Sequence, residues 1–211
     1  MELYQKYRPK RLAQVVGQDK AVSSIRRVLQ ARNFDRGAFW IEGASGIGKS
    51  TLAYCIAHQL TNGNQWGVTE IDGSACRIDT VREFQQRAEG PPSLLADWHI
   101  IIVNEAHAMR QDAVAAWLTL LEKLPAKWVV VFTSMIPQGN LWGEMDNAFA
   151  SRCRYLKLTN QGLCETFARL VHRVAAREGL DGQPYESYVK LAKNLKNNCR
   201  AMFQAVELGE V

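Results

Sequence analysis

Residues 43–50 read Gly43-Ala44-Ser45-Gly46-Ile47-Gly48-Lys49-Ser50, which fits G-x-x-x-x-G-K-[ST]. Glycines at these positions let successive backbone N–H groups turn inward around phosphate oxygens. A helix opening at Lys49 aims its positive end at the same anion. Lys49 is placed to reach the β- and γ-phosphates, and the Ser50 hydroxyl to face Mg²⁺. The phosphate-binding set therefore runs from Gly43 through Ala44, Ser45, Gly46, Ile47, Gly48, Lys49 and Ser50 to Thr51. Chance produces this pattern in roughly one chain in a hundred of this length. A hydrolytic site also needs an acid at the tip of a neighbouring strand. Asn104-Glu105-Ala106-His107 follows the apolar run His99–Val103, so Glu105 is the candidate for polarising water. Asn104 stands where a magnesium-shell aspartate is usual; its amide oxygen can still accept a hydrogen bond but carries no charge.

These residues need strands ending beside one another. Residues 38–41, 67–71, 99–103, 128–132 and 155–158 read as short apolar strands. Residues 19–32, 49–60, 80–88 and 111–123 read as helices between them, with a Gly90-Pro91-Pro92 break. Residues 1–12 are polar and basic, and Pro9 interrupts any helix there. Alternation of strand and helix predicts a parallel α/β sheet of five strands flanked by helices. After residue 159 only helices are expected, over 163–178, 185–195 and 199–208. The division expected is an α/β nucleotide-binding domain over 1–158 and a small all-helical lid over 159–211.

The 211 residues carry a net charge of +5, with 47% hydrophobic and 22% charged residues. That is an ordinary globular balance with a basic bias that suits a nucleic-acid partner. No apolar run is long enough for a membrane span, and Met1–Gln5 is not an apolar leader. The five cysteines form no C-x-x-C pair, which points away from zinc and toward a reducing, cytoplasmic setting.

The order of motifs resembles the clamp-loader branch of the AAA+ ATPases, the bacterial DNA polymerase III gamma/tau and replication factor C small-subunit type. Tyr7-Arg8-Pro9-Lys10 and Val15-Val16-Gly17-Gln18 come first, then the glycine loop and Glu70-Ile71-Asp72-Gly73-Ser74-Ala75. Asn104–Met109, Leu120-Leu121-Glu122 and Ser151-Arg152-Cys153 follow. The resemblance implies ATP or ADP with Mg²⁺, the latter near Ser50 and Asn104. It implies an oligomer of AAA+ subunits acting on primed DNA in replication, with a sliding clamp and polymerase subunits as further partners. It places Tyr7, Arg8, Val15 and Val16 on the adenine side and makes Arg152 an arginine finger for a neighbouring subunit. It makes Arg200 a second sensor on the lid. It puts DNA-backbone contacts at Arg77, Arg82, Arg110 and Gln111.

The chain departs from the family pattern at Asn104. It departs again at the first sensor, which by count falls on Met135; Ser134 or Thr133 takes the role if the register slips by one, and Ser134 joins Glu105, Arg152 and Lys49 in the catalytic set. The gamma-type zinc module is missing, since residues 61–68 hold no cysteine, and the sequence stops where the family's helical collar starts. Phosphate binding is expected to survive these changes and the chemical step to slow. A nucleotide-dependent scaffold with little turnover is the alternative. A helicase loader or branch-migration motor is a third reading, against which the Ser-Arg-Cys and Leu-Leu-Glu stretches count.

Overall fold

The computed structural model describes every residue except Pro92, residues 136–140 and Asp181. The Gly90-Pro91-Pro92 break thus lies partly outside the described residues. In chain order the elements are α1 (Leu3–Lys6), α2 (Asp19–Leu29), β1 (Gly37–Glu42), α3 (Lys49–Thr61), β2 (Val68–Asp72) and α4 (Ile78–Glu89). Then come β3 (His99–Asn104), α5 (Gln111–Glu122), β4 (Trp128–Ser134), α6 (Glu144–Arg152) and β5 (Arg154–Lys157). Helices α7 (Cys164–Glu178), α8 (Tyr185–Asn194) and α9 (Cys199–Leu208) complete the chain.

The five strands form one parallel sheet in the order β2-β3-β4-β1-β5. The three central strands are apolar over residues 38–41, 100–103 and 128–132 because helices cover both faces, and polar only toward their ends. Their side chains alternate strictly. Trp40, Ile101, Val103, Val130 and Phe132 face α4, α5 and α6, packing with Trp117, Trp142 and Phe149. Phe39, Ile41, Ile100, Ile102, Val129 and Val131 face α2 and α3, packing with Ile25, Leu52 and Ile56. The edge strands β2 and β5 carry the exposed positions. Helices α7, α8 and α9 build a third apolar cluster around Phe167, Val171, Tyr188 and Met202, which Leu3 of α1 joins.

Three details differ from the sequence reading. Helix α2 stops at Leu29 rather than residue 32: residues 30–33 are exposed, and the chain turns there, with Ala31 N–H donating to Val28 O and Phe34 N–H to Ala31 O, so that Phe34 packs on the same cluster from outside the helix. A short helix, α1, forms ahead of Pro9. Helix α6 was not foreseen; it anchors through Phe149, whose ring meets Trp40 and Phe132 edge-on.

Candidate nucleotide site

In open α/β sheets the carboxyl ends of the strands form the ligand crevice. Here β1, β3 and β4 deliver Glu42, Asn104 and Ser134 to one edge, and the loop 43–48 crosses it. Gly43 N–H donates to Ser134 O at 3.1 Å, tying the loop to β4. Gly46 and Gly48 take φ values of +71° and +109°, which explains why glycine is needed at both. Among the described residues, no amide from Ala44 to Gly48 finds an acceptor in hydrogen-bonding geometry. A Cβ placed on Gly48 would meet nothing within 4 Å. Free amides around an open space, at the start of α3, are the donor set a polyphosphate requires.

Lys49 is buried, and its Nζ donates to Gly43 O and Ala44 O, each at 3.0 Å. Burial holds its ammonium below the usual lysine range; Glu105 opposes that shift and the Arg200 charge adds to it. Arg200, on the first turn of α9, is thus brought to the loop, where its guanidinium also lies 5.3 Å from the Tyr4 ring centroid. The α9 N-terminus touches the loop directly: Cys199 N–H donates to Gly46 O at 3.1 Å.

Ser50 Oγ donates to Asn104 Oδ1 at 3.0 Å, and Thr133 Oγ1 does so at 3.2 Å. The Asn104 amide nitrogen donates to the Glu70 carboxylate, and Tyr54 Oη donates to the other Glu70 oxygen. Hydroxyl and amide oxygens are hard donors that suit Mg²⁺ when phosphate and water complete its shell. Among the described residues, no group of three or more His, Cys, Asp or Glu side chains could hold a metal alone. Glu105 has left-handed backbone (φ 49°) and its N–H donates to Thr133 Oγ1 at 3.3 Å. Its carboxylate lies 3.5 Å from His107 Nδ1, which is 3.4 Å from Ser134 Oγ. Thr133 thus stands beside Asn104 and Glu105, Ser134 stands beside His107, and Met135 points outward, 47% exposed.

The residues expected on the adenine side divide. Val15 packs with the α2–α3 cluster and Val16 with the α7–α9 cluster. Tyr7 donates to Glu178 on α7, whereas Arg8 stacks 4.0 Å from the Tyr54 ring centroid on α3. The four side chains line the junction between sheet and helical cluster rather than one wall.

Residues 39–157, more than half of the chain, match the family described as ATPase family associated with various cellular activities, AAA. The chain belongs to the AAA family. This AAA chain is 30% identical over 187 residues to a replication factor C small subunit of Methanoregula boonei, covering 85% of the chain and 54% of that relative. It is 23% identical over 193 residues to the DNA polymerase III subunit tau of Bacillus subtilis, covering 80% of the chain and 33% of the relative. It spans about half or less of the length of these relatives. The resemblance to clamp-loader ATPases drawn from motif order therefore holds. The RuvB Holliday junction branch migration motor of Thermotoga maritima has the same fold, with TM-score 0.73 over 95% of the AAA chain and 64% of RuvB, at 17% identity.

Arg152 lies elsewhere in this AAA module. It ends α6, just before β5 begins at Arg154, whereas the loop follows the far end of β1. Six-residue strands span about 20 Å, so Arg152 is a full strand length from the loop of its own chain. Its guanidinium donates to Ala148 O at 2.7 Å and pairs with Glu122. Arg77 and Arg110 occupy the N-cap positions of the adjacent helices α4 and α5, and Gln111 opens α5. All three are exposed, as is Arg82. Arg82 pairs with Asp79 at 3.3 Å and Arg110 with Asp112 at 3.7 Å.

Sequence reasoning missed Gln18, Glu70 and His107. Gln18 and Glu70 lay within quoted motifs, and His107 two residues from Glu105, but their partners are assigned only by the fold.

Proposed function

We propose that this chain is the nucleotide-binding part of a clamp-loader-like ATPase that binds ATP with Mg²⁺ and acts on primed DNA within an oligomer of AAA+ subunits. The observation that carries the reading is the meeting of the loop, Lys49, Ser50, Asn104 and Glu105 at one sheet edge, with Arg200 in reach. The loop amides and Lys49 hold the phosphates. Magnesium bound with the nucleotide supplies neutralising charge, and Ser50 and Asn104 offer it their oxygens. Glu105 accepts the proton of the attacking water, with Ser134 and Thr133 as polar neighbours. Tyr7, Arg8, Val15 and Val16 take the base side. Residues 1–158 act as the nucleotide-binding domain and 159–211 as the lid, with Arg200 reading occupancy.

Arg152 acts on the site of the next subunit, a role its distance from its own loop favours. Arg77, Arg82, Arg110 and Gln111 track a DNA backbone, with a sliding clamp and polymerase subunits as further partners in a cytoplasmic, reducing setting. No helix among the described residues is long and apolar enough to cross a membrane. The test is ATP binding and phosphate release with and without primed DNA. Absence of ATP binding by the wild-type chain would sink the reading.

A scaffold that uses ATP as a conformational ligand with little turnover is favoured by the neutral Asn104 and the outward Met135. Binding with no phosphate release, with DNA and partner subunits present, would select it.

A further inference from the structure

The chain passes from the sheet to the helical cluster through residues 158–163. Leu158 N–H still donates to Glu42 O at 2.8 Å, extending the pairing of β5 with β1. At Thr159 the partner changes to a side chain. Thr159 N–H donates to Gln18 Oε1 at 3.1 Å, and Gln18 Nε2 donates to Thr159 O at 2.9 Å. One residue later the bonds belong to the turn between α8 and α9. Asn160 Nδ2 donates to Lys196 O at 3.2 Å, and Asn197 Nδ2 donates to Asn160 O at 2.9 Å. The change of allegiance falls between Thr159 and Asn160.

Gln18 is only 3% exposed, and its Nε2 also lies 3.5 Å from Ile47 O in the phosphate loop. A primary amide can accept from the N–H and donate to the C=O of one residue while keeping a second N–H for another acceptor. Gln18 uses that capacity on the linker and the loop together. Its position is fixed from behind: Gly17 has φ +75°, and a Cβ there would come 2.5 Å from Leu163 Cδ2 at the start of α7. When loop amides turn toward an anion, the alternating carbonyls turn away from it. Ile47 O is one of these carbonyls.

We infer that Gln18 is a positioning residue that couples the phosphate loop to the linker, so that occupancy of the loop is transmitted to α7, α8 and α9. This rests on the nucleotide-binding reading. Gln18→Glu keeps the volume and the acceptor but loses both donated bonds; Gln18→Met keeps the volume and loses all of them. The measurement is hydrogen–deuterium exchange of α7–α9 in the full chain, with and without a slowly hydrolysed ATP analogue and Mg²⁺, beside the analogue's affinity. Wild type is expected to exchange more slowly there when the analogue is bound. Both variants are expected to bind within about threefold of wild type and to lose at least half of that slowing. Equal slowing in wild type and variants overturns the inference while leaving nucleotide binding intact. If Gln18→Met does not fold, Gln18→Glu decides; failure of both to fold marks Gln18 as structural only and also overturns it. A wild-type chain that binds no analogue overturns the parent reading instead.

Discussion

The Asn104 side chain faces Ser50 with its oxygen, at 3.0 Å, and Glu70 with its nitrogen. An aspartate here would set two carboxylates in hydrogen-bonding contact. We expect Asn104→Asp to lower stability without magnesium by about 1 kcal/mol. Like-charge contact raises the carboxyl pKa in the folded state, so this loss is absent at low pH and grows as pH rises through the carboxylate range. Adding Glu70→Gln restores an amide–carboxylate pair. Thermal melts of both variants at pH 4 and pH 7 check this; an equal loss at both pH values counts against it.

Arg152→Ala is expected to leave ATP affinity unchanged and to reduce stimulated turnover by about 10³-fold or more. Mixing it with Lys49→Ala, which abolishes nucleotide binding, tests action between subunits. Partial recovery in the mixture supports a shared site; no recovery at any ratio contradicts it.

Lys49 yields a pH prediction. Its folded pKa lies below the ordinary 10.5 because burial disfavours the charge. The unfolded chain then binds more protons, so the penalty is full at neutral pH and fades as pH rises from the folded pKa toward 10.5. The nucleotide-free stability advantage of Lys49→Met over wild type should therefore shrink across that window. A difference constant with pH would refute the burial argument.

Gly46→Ala combines two faults. It forces alanine to φ +71°, and its Cβ would lie 1.8 Å from Asn198 Oδ1. The backbone term alone costs about 1–2 kcal/mol. Made in an Asn198→Gly background, which already lacks the Asn198 Oδ1 cap on Ala201 N–H, Gly46→Ala should cost mainly the backbone part, as read by chemical denaturation.

Reversing Arg77 and Arg110 together is expected to weaken DNA binding and flatten its salt dependence. Each lost phosphate contact removes about 0.9 from the slope of log K against log salt. An unchanged slope removes these helix ends from the interface.

The glycine loop and the three central strands were readable because spacing and apolar runs encode them locally. Helix α6 was not, since Phe149 is its one fully buried aromatic anchor and its partners Trp40 and Phe132 come from distant strands. The Asn104 substitution could be seen in sequence, but not its meaning: Glu70 reaches it only because β2 and β3 are neighbours, with Asp72 opposite Asn104. Gln18 was hidden for the same reason, since its partner Thr159 is 141 positions away.

The separation of Arg152 from the loop by a whole strand gives the module two distinct ends. A twofold pair could place each donor at the other copy's recipient only with the two sheets running antiparallel, whereas a head-to-tail contact keeps every sheet running the same way. For Arg152 to serve the next copy's loop head to tail, the copies would all stack in one direction. A row that does not close then leaves one vacant recipient at its first member and one idle donor at its last.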